Sequence, residues 1–319
     1  MSVLLNKGFR GWAQLAIFLG LLGVGMIAGS LISAGMWVAL TGQNFASMGT
    51  DLLNPAYATP LKIVQAISTF FIFFLPAVLY ASIVYRPPAR ALGIGVAPFS
   101  AALLGISVLC LVCMGPITDA LGTLNRQIPL SASAKTFFDN LEKTYEEQVK
   151  AIGNVTSFGQ YMLSLIMIAL LPAVFEEVLF RGGLQGMLAR WWKKPLLALV
   201  ITSIVFSAIH GSWYGFLPRV ALGLLLGGVF LITQNLIYPI ILHFINNAIV
   251  VTYMYYLAIK GKPIDVGSTN TSFAWWMALP ALIIMFYLFK WLKKAVQQRP
   301  PQEVFFEPNN SFDDRNQFA

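Results

Sequence analysis

The chain has 319 residues, 57% of them hydrophobic and 11% charged, with a net charge of +8 and a mean hydropathy of +0.71. Soluble proteins carry about 25% charged residues, so this composition excludes a soluble globular domain and describes an integral membrane protein. Nor does the positive charge imply a nucleic-acid partner, because Lys and Arg lie mostly in short loops, where they set orientation in a bilayer.

In chain order, the basic start "MSVLLNKGFRGW" leads into an apolar run to about residue 40. That run is too long for the h-region of a cleaved leader, about 7–15 residues, and reads as a first span. Runs long enough to cross the hydrocarbon core follow, giving spans near 12–40, 61–84, 98–124, 159–190, 195–211, 216–234, 237–258 and 273–291. The expected fold is an all-α polytopic membrane protein of about eight transmembrane helices with a polar catalytic cavity inside the bundle. The fourth run exceeds one crossing, and Pro172 offers a place for it to break or kink. Cys110 and Cys113, one turn apart in an apolar run, are packing residues and no redox or zinc pair.

Basic residues cluster at Lys7/Arg10, Arg86/Arg90, Arg190/Lys193/Lys194 and Lys290/Lys293/Lys294, on one side of an eight-span chain. The positive-inside rule then makes both termini cytoplasmic. Residues 1–158 hold the N-terminal spans and end in a long extracytoplasmic loop, 125–158. Its segment "DNLEKTYEEQVKAI" has the charge spacing of a solvated or interfacial helix. Residues 159–258 form the catalytic core, 259–296 hold the last span, and 297–319 are expected to be a disordered cytoplasmic tail.

Between Gln148 and Ile264 the only acidic residues are Glu176 and Glu177, in "PAVFEEVLFRGG", and the two histidines of the chain, His210 and His243, fall in the same region. An ionisable group at membrane depth costs about 2.5–3.5 kcal/mol even on the lenient insertion scale, so this concentration points to function. Glu177 and Arg181 are four residues apart and share a helical face, where each neutralises the other. Glu176 points about 100° away and stays available as a general base.

His210 and Glu177 stand at similar depth if the chain turns at "WWKKP", whereas the same count puts His243 and Asn247, again four apart, nearer the membrane surface. A base, an adjacent histidine and a His/Asn pair of donors are the parts for attack of water on a carbonyl. The same residues could instead form a zinc site of Glu176, His210 and His243, although the soluble H-E-x-x-H motif is absent. No cofactor is required on the first reading; zinc belongs to the second. Arg219, after Pro218, reads as a side chain that snorkels to the interface in preference to one that binds a substrate carboxylate. Gly182, Gly183 and Gly186 allow close helix packing or substrate access.

The segments "EEVLFRG" (176–182), "FSAIH" (206–210) and "HFINN" (243–247) resemble the EExxxR, FxxxH and HxxxN motifs of the CPBP intramembrane proteases. That family includes the CAAX prenyl endopeptidases and the bacteriocin-processing or immunity-associated Abi proteins, and many members are labelled metalloproteases. The resemblance implies that Glu176 activates water with help from His210, that Glu177 and Arg181 support the site, and that His243 and Asn247 form the oxyanion hole. The implied substrate is a membrane-associated peptide or protein. Two rivals stand beside this reading: a proton-coupled transporter, and a non-catalytic immunity or scaffold protein of the same fold.

Overall fold

The structure is a computed structural model that describes residues 4–47, 51, 54–153, 155–262 and 273–299. The tail call for 297–319 therefore lies almost entirely outside the described residues. The helices are α1 (Gly11–Thr41), α2 (Ala58–Val84), α3 (Ala101–Gln127), α4 (Ala132–Gly153), α5 (Phe158–Trp192), α6 (Pro195–Ala208), α7 (Phe216–Thr233), α8 (Ile237–Ile259) and α9 (Ala278–Gln297). One two-residue ladder pairs Leu5–Asn6 with Tyr85–Arg86 and ties the N-terminal segment to the end of α2.

Seven of these helical stretches are long and apolar enough to cross a membrane; the eighth, α6, has only 14 residues. At 1.5 Å per residue it covers about 21 Å of a core about 30 Å thick. The span expected over 195–211 thus stops at Ala208, and His210 lies in the turn beyond its end.

Proline shapes the long helices. Neither Pro76 nor Pro172 ends its helix; instead each is preceded by a π-helical turn, Phe70–Phe74 in α2 and Leu165–Leu170 in α5. A proline ring crowds the carbonyl one turn back and offers it no N–H, and the wider π turn relieves that crowding without breaking the helix. A second π stretch in α5, Val178–Gln185, begins immediately after the carboxylate pair.

Two packing clusters sit on either side of α7. One joins α1, α2, the C-terminal half of α5, and α6, through residues such as Phe18, Tyr80, Phe180 and Phe206. The other joins α3, α7, α8 and α9, through Cys110, Leu226, Leu242 and Leu288. Lipid supplies no hydrophobic drive between helices, so close contact must come from small residues. A Cβ on Gly223 would stand 2.9 Å from Ser203, and one on Gly182 would stand 2.9 Å from the Leu92 carbonyl oxygen. These two glycines bring α7 onto α6 and seat the loop after α2 deep against α5.

Lys62 of α2 is buried, and its ammonium donates to Ser164 Oγ at 2.9 Å, with no carboxylate within ion-pair distance among the described residues. Ser164 in turn donates to the Gln160 carbonyl, so its hydroxyl accepts from Lys62. Removing that acceptor should cost about 1–3 kcal/mol, whereas removing the charge should not. Melting in detergent is expected to show Ser164→Ala below wild type and Lys62→Met at or above it.

Candidate functional site

Four of the six expected residues are in direct contact. Arg181 Nη1 donates to Glu177 Oε1 at 2.6 Å, and Arg181 Nη2 donates to the Gly223 carbonyl at 3.3 Å. His243 Nδ1 lies 2.8 Å from the same Glu177 oxygen, and His243 Nε2 lies 3.9 Å from Glu176 Oε2. Glu177 and Arg181 are fully buried, and the Glu176 side chain keeps 12% of its surface exposed.

The remaining contacts run through Phe206. The Arg181 guanidinium stacks 4.6 Å from the centre of its ring, and the His210 and His243 rings meet it edge-on at 5.0 and 5.8 Å. Phe206 thus packs against both imidazoles and the arginine. Glu176, Arg219 and His243 are all within electrostatic range of the His210 ring.

These bonds fix proton positions. The His210 Nδ1 sits 2.7 Å from the Phe206 carbonyl oxygen, which can only accept, so Nδ1 carries the hydrogen and Nε2 presents a lone pair. Likewise the Glu177 carboxylate accepts from His243 Nδ1, and Nε2, on the far side of the ring, is a donor only when the imidazole carries both protons. Oε2 of Glu176 and Oε2 of Glu177 are buried without a hydrogen-bond partner in the protein, so both can accept from a substrate or water.

Asn247, half-buried on α8, is not drawn into this cluster. Its Oδ1 accepts from Asn246 Nδ2 at 3.4 Å, and it bonds none of the other five residues.

The depth count that placed His243 nearer the surface fails for a structural reason. The turn before α8 does not lie level with Trp192. Leu236 N donates to the Gly93 carbonyl, Asn235 Nδ2 donates to the Ala97 carbonyl, and Leu92 packs on Gly182. The loop 92–97 is tucked into the bundle and carries the turn 234–236 to the depth of Gly182. From there Glu177 is five residues back along α5 and His243 seven residues on along α8, about 8 and 11 Å of rise.

Sequence reading missed the residues that hold the His210 turn. Asn125, fully buried at the end of α3, donates to the Trp213 carbonyl at 2.8 Å and accepts from Leu217 N at 3.1 Å. Ser207 donates to the Phe216 carbonyl. From outside, α4 straps the turn: Ser212 donates to Glu142, Tyr214 donates to Asp139, and Phe138 stacks on Trp213 at 4.7 Å. Gln185 was missed too, although its spacing from Glu177 and Arg181, eight and four, was a visible signal; it donates to the Gly227 carbonyl.

Arg219 is half-buried in the first turn of α7; its Nη1 donates to the Ser212 carbonyl at 3.2 Å, and its guanidinium sits 5.4 Å from the Tyr145 ring centre. Gly182 and Gly183 serve close packing, against Leu92 and Phe18.

The strap is sensitive to acid. The Lys135 ammonium, and then the Tyr214 hydroxyl, hold the Asp139 carboxyl below the ordinary carboxylate range. A lowered carboxyl stabilises the fold above its unfolded pKa, about 3.9, and that contribution is lost as pH falls through the lower folded value. Hydrogen exchange in α4, corrected for its intrinsic pH dependence, should therefore rise from about pH 4 downward in wild type and show no such step in Asp139→Asn.

As for a metal, no three His, Cys, Asp or Glu side chains are grouped to hold an ion among the described residues. The bond from His243 Nδ1 to Glu177 does not itself count against one, because a metal-binding imidazole commonly donates its other N–H to a carboxylate and here leaves Nε2 on the Glu176 side.

Residues 158–249, which contain all six site positions, match the family described as type II CAAX prenyl endopeptidase Rce1-like. This segment resembles that family. A stretch of 89 residues of the chain is 35% identical to "Uncharacterized protein YpbD" of Bacillus subtilis (strain 168). That match covers 27% of this chain and 42% of the relative, so the chain spans less than half of the curated protein it resembles. No solved structure matches. The Rce1-like segment runs from the start of α5 into α8, and the polar contacts of the site lie within it.

Proposed function

We propose that this protein is an intramembrane endopeptidase that hydrolyses a peptide bond of a membrane-associated peptide or protein by glutamate-activated water. The observation that carries the proposal is the division between the two carboxylates. Glu177 is fully buried and tied through one oxygen to Arg181 and His243, whereas Glu176 makes no hydrogen bond in the protein, keeps 12% of its side chain exposed, and stands beside His243 and within range of His210.

In the proposed reaction Glu176 takes a proton from water while the water oxygen attacks the carbonyl carbon, with the His210 Nε2 lone pair orienting the water. The developing oxyanion is stabilised by His243 Nε2–H, supported by the Glu177 carboxylate, and by the amide N–H of Asn247. On collapse the C–N bond breaks and Glu176 returns its proton to the leaving amine. The side chain of Asn247 has to turn toward His243 to take part. The substrate reaches the site from the bilayer or from one aqueous face, and the basic loops place both termini in the cytoplasm.

The test is cleavage of a quenched-fluorescent peptide library by the purified protein in detergent, with and without a chelator. Cleavage that persists in chelator supports the glutamate mechanism, cleavage that chelator abolishes replaces it with a metal one, and a protein that cleaves nothing contradicts the proposal.

A further inference from the structure

Arg219 is the cation that the catalytic cluster does not use. Its guanidinium is folded back over Gly215, where a Cβ would stand 2.6–2.7 Å from Nη2, Cζ and Nη1. Only glycine at that position leaves room for this pose. Nη1 is held by the Ser212 carbonyl and the group faces the Tyr145 ring, while Nε and Nη2 have no acceptor and no carboxylate lies within ion-pair distance among the described residues.

The support beneath it is rigid. Asn125 ties Trp213 to Leu217, Ser207 ties α6 to Phe216, and Ser212 Oγ accepts from Gly215 N at 3.3 Å. Ser212 is two residues from His210, so the guanidinium stands within about 10 Å of the His210 backbone. Glu142, the acid in this network, accepts from the Ser212 hydroxyl and makes no ion pair with Arg219.

We infer that Arg219 is a specificity-determining residue, forming a subsite that binds a carboxylate of the peptide substrate next to the scissile bond. A half-buried guanidinium with two donors to spare, fixed beside the histidine that orients the water, presents the planar fork that carboxylates fit. The inference rests on the peptidase reading. The carboxylate is either an Asp or Glu side chain or the peptide's own C-terminus.

The test compares three peptides of one sequence: a neutral peptide with an amidated C-terminus, the same with Glu beside the scissile bond, and the same with a free C-terminal carboxylate. Wild type should favour one carboxylate-bearing peptide by about tenfold or more in kcat/KM. Which peptide it favours identifies the source of the carboxylate. Arg219→Gln should bring the ratio to about 1, and Arg219→Lys, which keeps the charge without the fork, should fall between. Wild type that cleaves all three peptides alike, or an Arg219→Gln that keeps the preference, overturns the subsite while leaving the peptidase reading intact. If no peptide is cleaved, the peptidase reading fails separately, and fluorescence anisotropy of the labelled peptides decides the subsite: equal binding of acid and amide forms overturns it.

Discussion

Arg181→Ala is expected to destabilise the protein by about 3–5 kcal/mol, the cost of stripping a partner from a buried ion pair. Arg181 and Glu177 are both fully buried, and the guanidinium bonds Glu177, bonds the Gly223 carbonyl and stacks on Phe206. With Arg181 gone, the Glu177 charge keeps only His243 as a partner. The expected result is a sharp fall in melting temperature in detergent. Removing both charges at once should be far milder, because apolar replacements of similar volume often match a buried pair in stability. The double variant Glu177→Gln/Arg181→Met is therefore expected to recover most of the loss. A double variant as unstable as Arg181→Ala would show that the pair does not act through charge.

Glu176→Gln is expected to lower kcat by about 10²–10⁴-fold, the usual worth of a positioned general base, with little change in melting. The change is nearly isosteric. Its structural cost is small because Oε2 of Glu176 has no hydrogen-bond partner and its contact with His243 is a loose 3.9 Å. Glu177→Gln should behave differently, since Glu177 holds both Arg181 and His243 through one oxygen. That variant should lose stability along with activity. Two adjacent glutamates thus separate into one whose loss is chemical and one whose loss is structural.

The parts of the site that follow local periodicity were legible in the sequence. Glu177 and Arg181 meet as their spacing demanded, and Glu176, 100° round the helix, stays off Arg181 but shares His243 with Glu177 through the other ring nitrogen. What could not be read was placement across the bundle. His243 seemed too shallow because nothing local shows that the loop 92–97 folds inward against Gly182 and pulls the start of α8 with it. The fifth span was drawn three residues too long because Ile209 and His210 continue an apolar pattern, although the helix gives way to a turn held by Asn125 and Ser207. The prolines marked where α2 and α5 would be perturbed, but a π turn in place of a break depends on the packing around it. The role of α4 was hidden for the same reason: its charge spacing announced a helix, while Asp139, Glu142 and Tyr145 take partners some 70 residues away.

The measurement that tests the account most directly is single-turnover cleavage of the best library peptide by wild type and Glu176→Gln, with melting curves of both. The account predicts a folded variant with cleavage reduced at least about 100-fold. A Glu176→Gln protein that melts like wild type and still cleaves at the wild-type rate would contradict it.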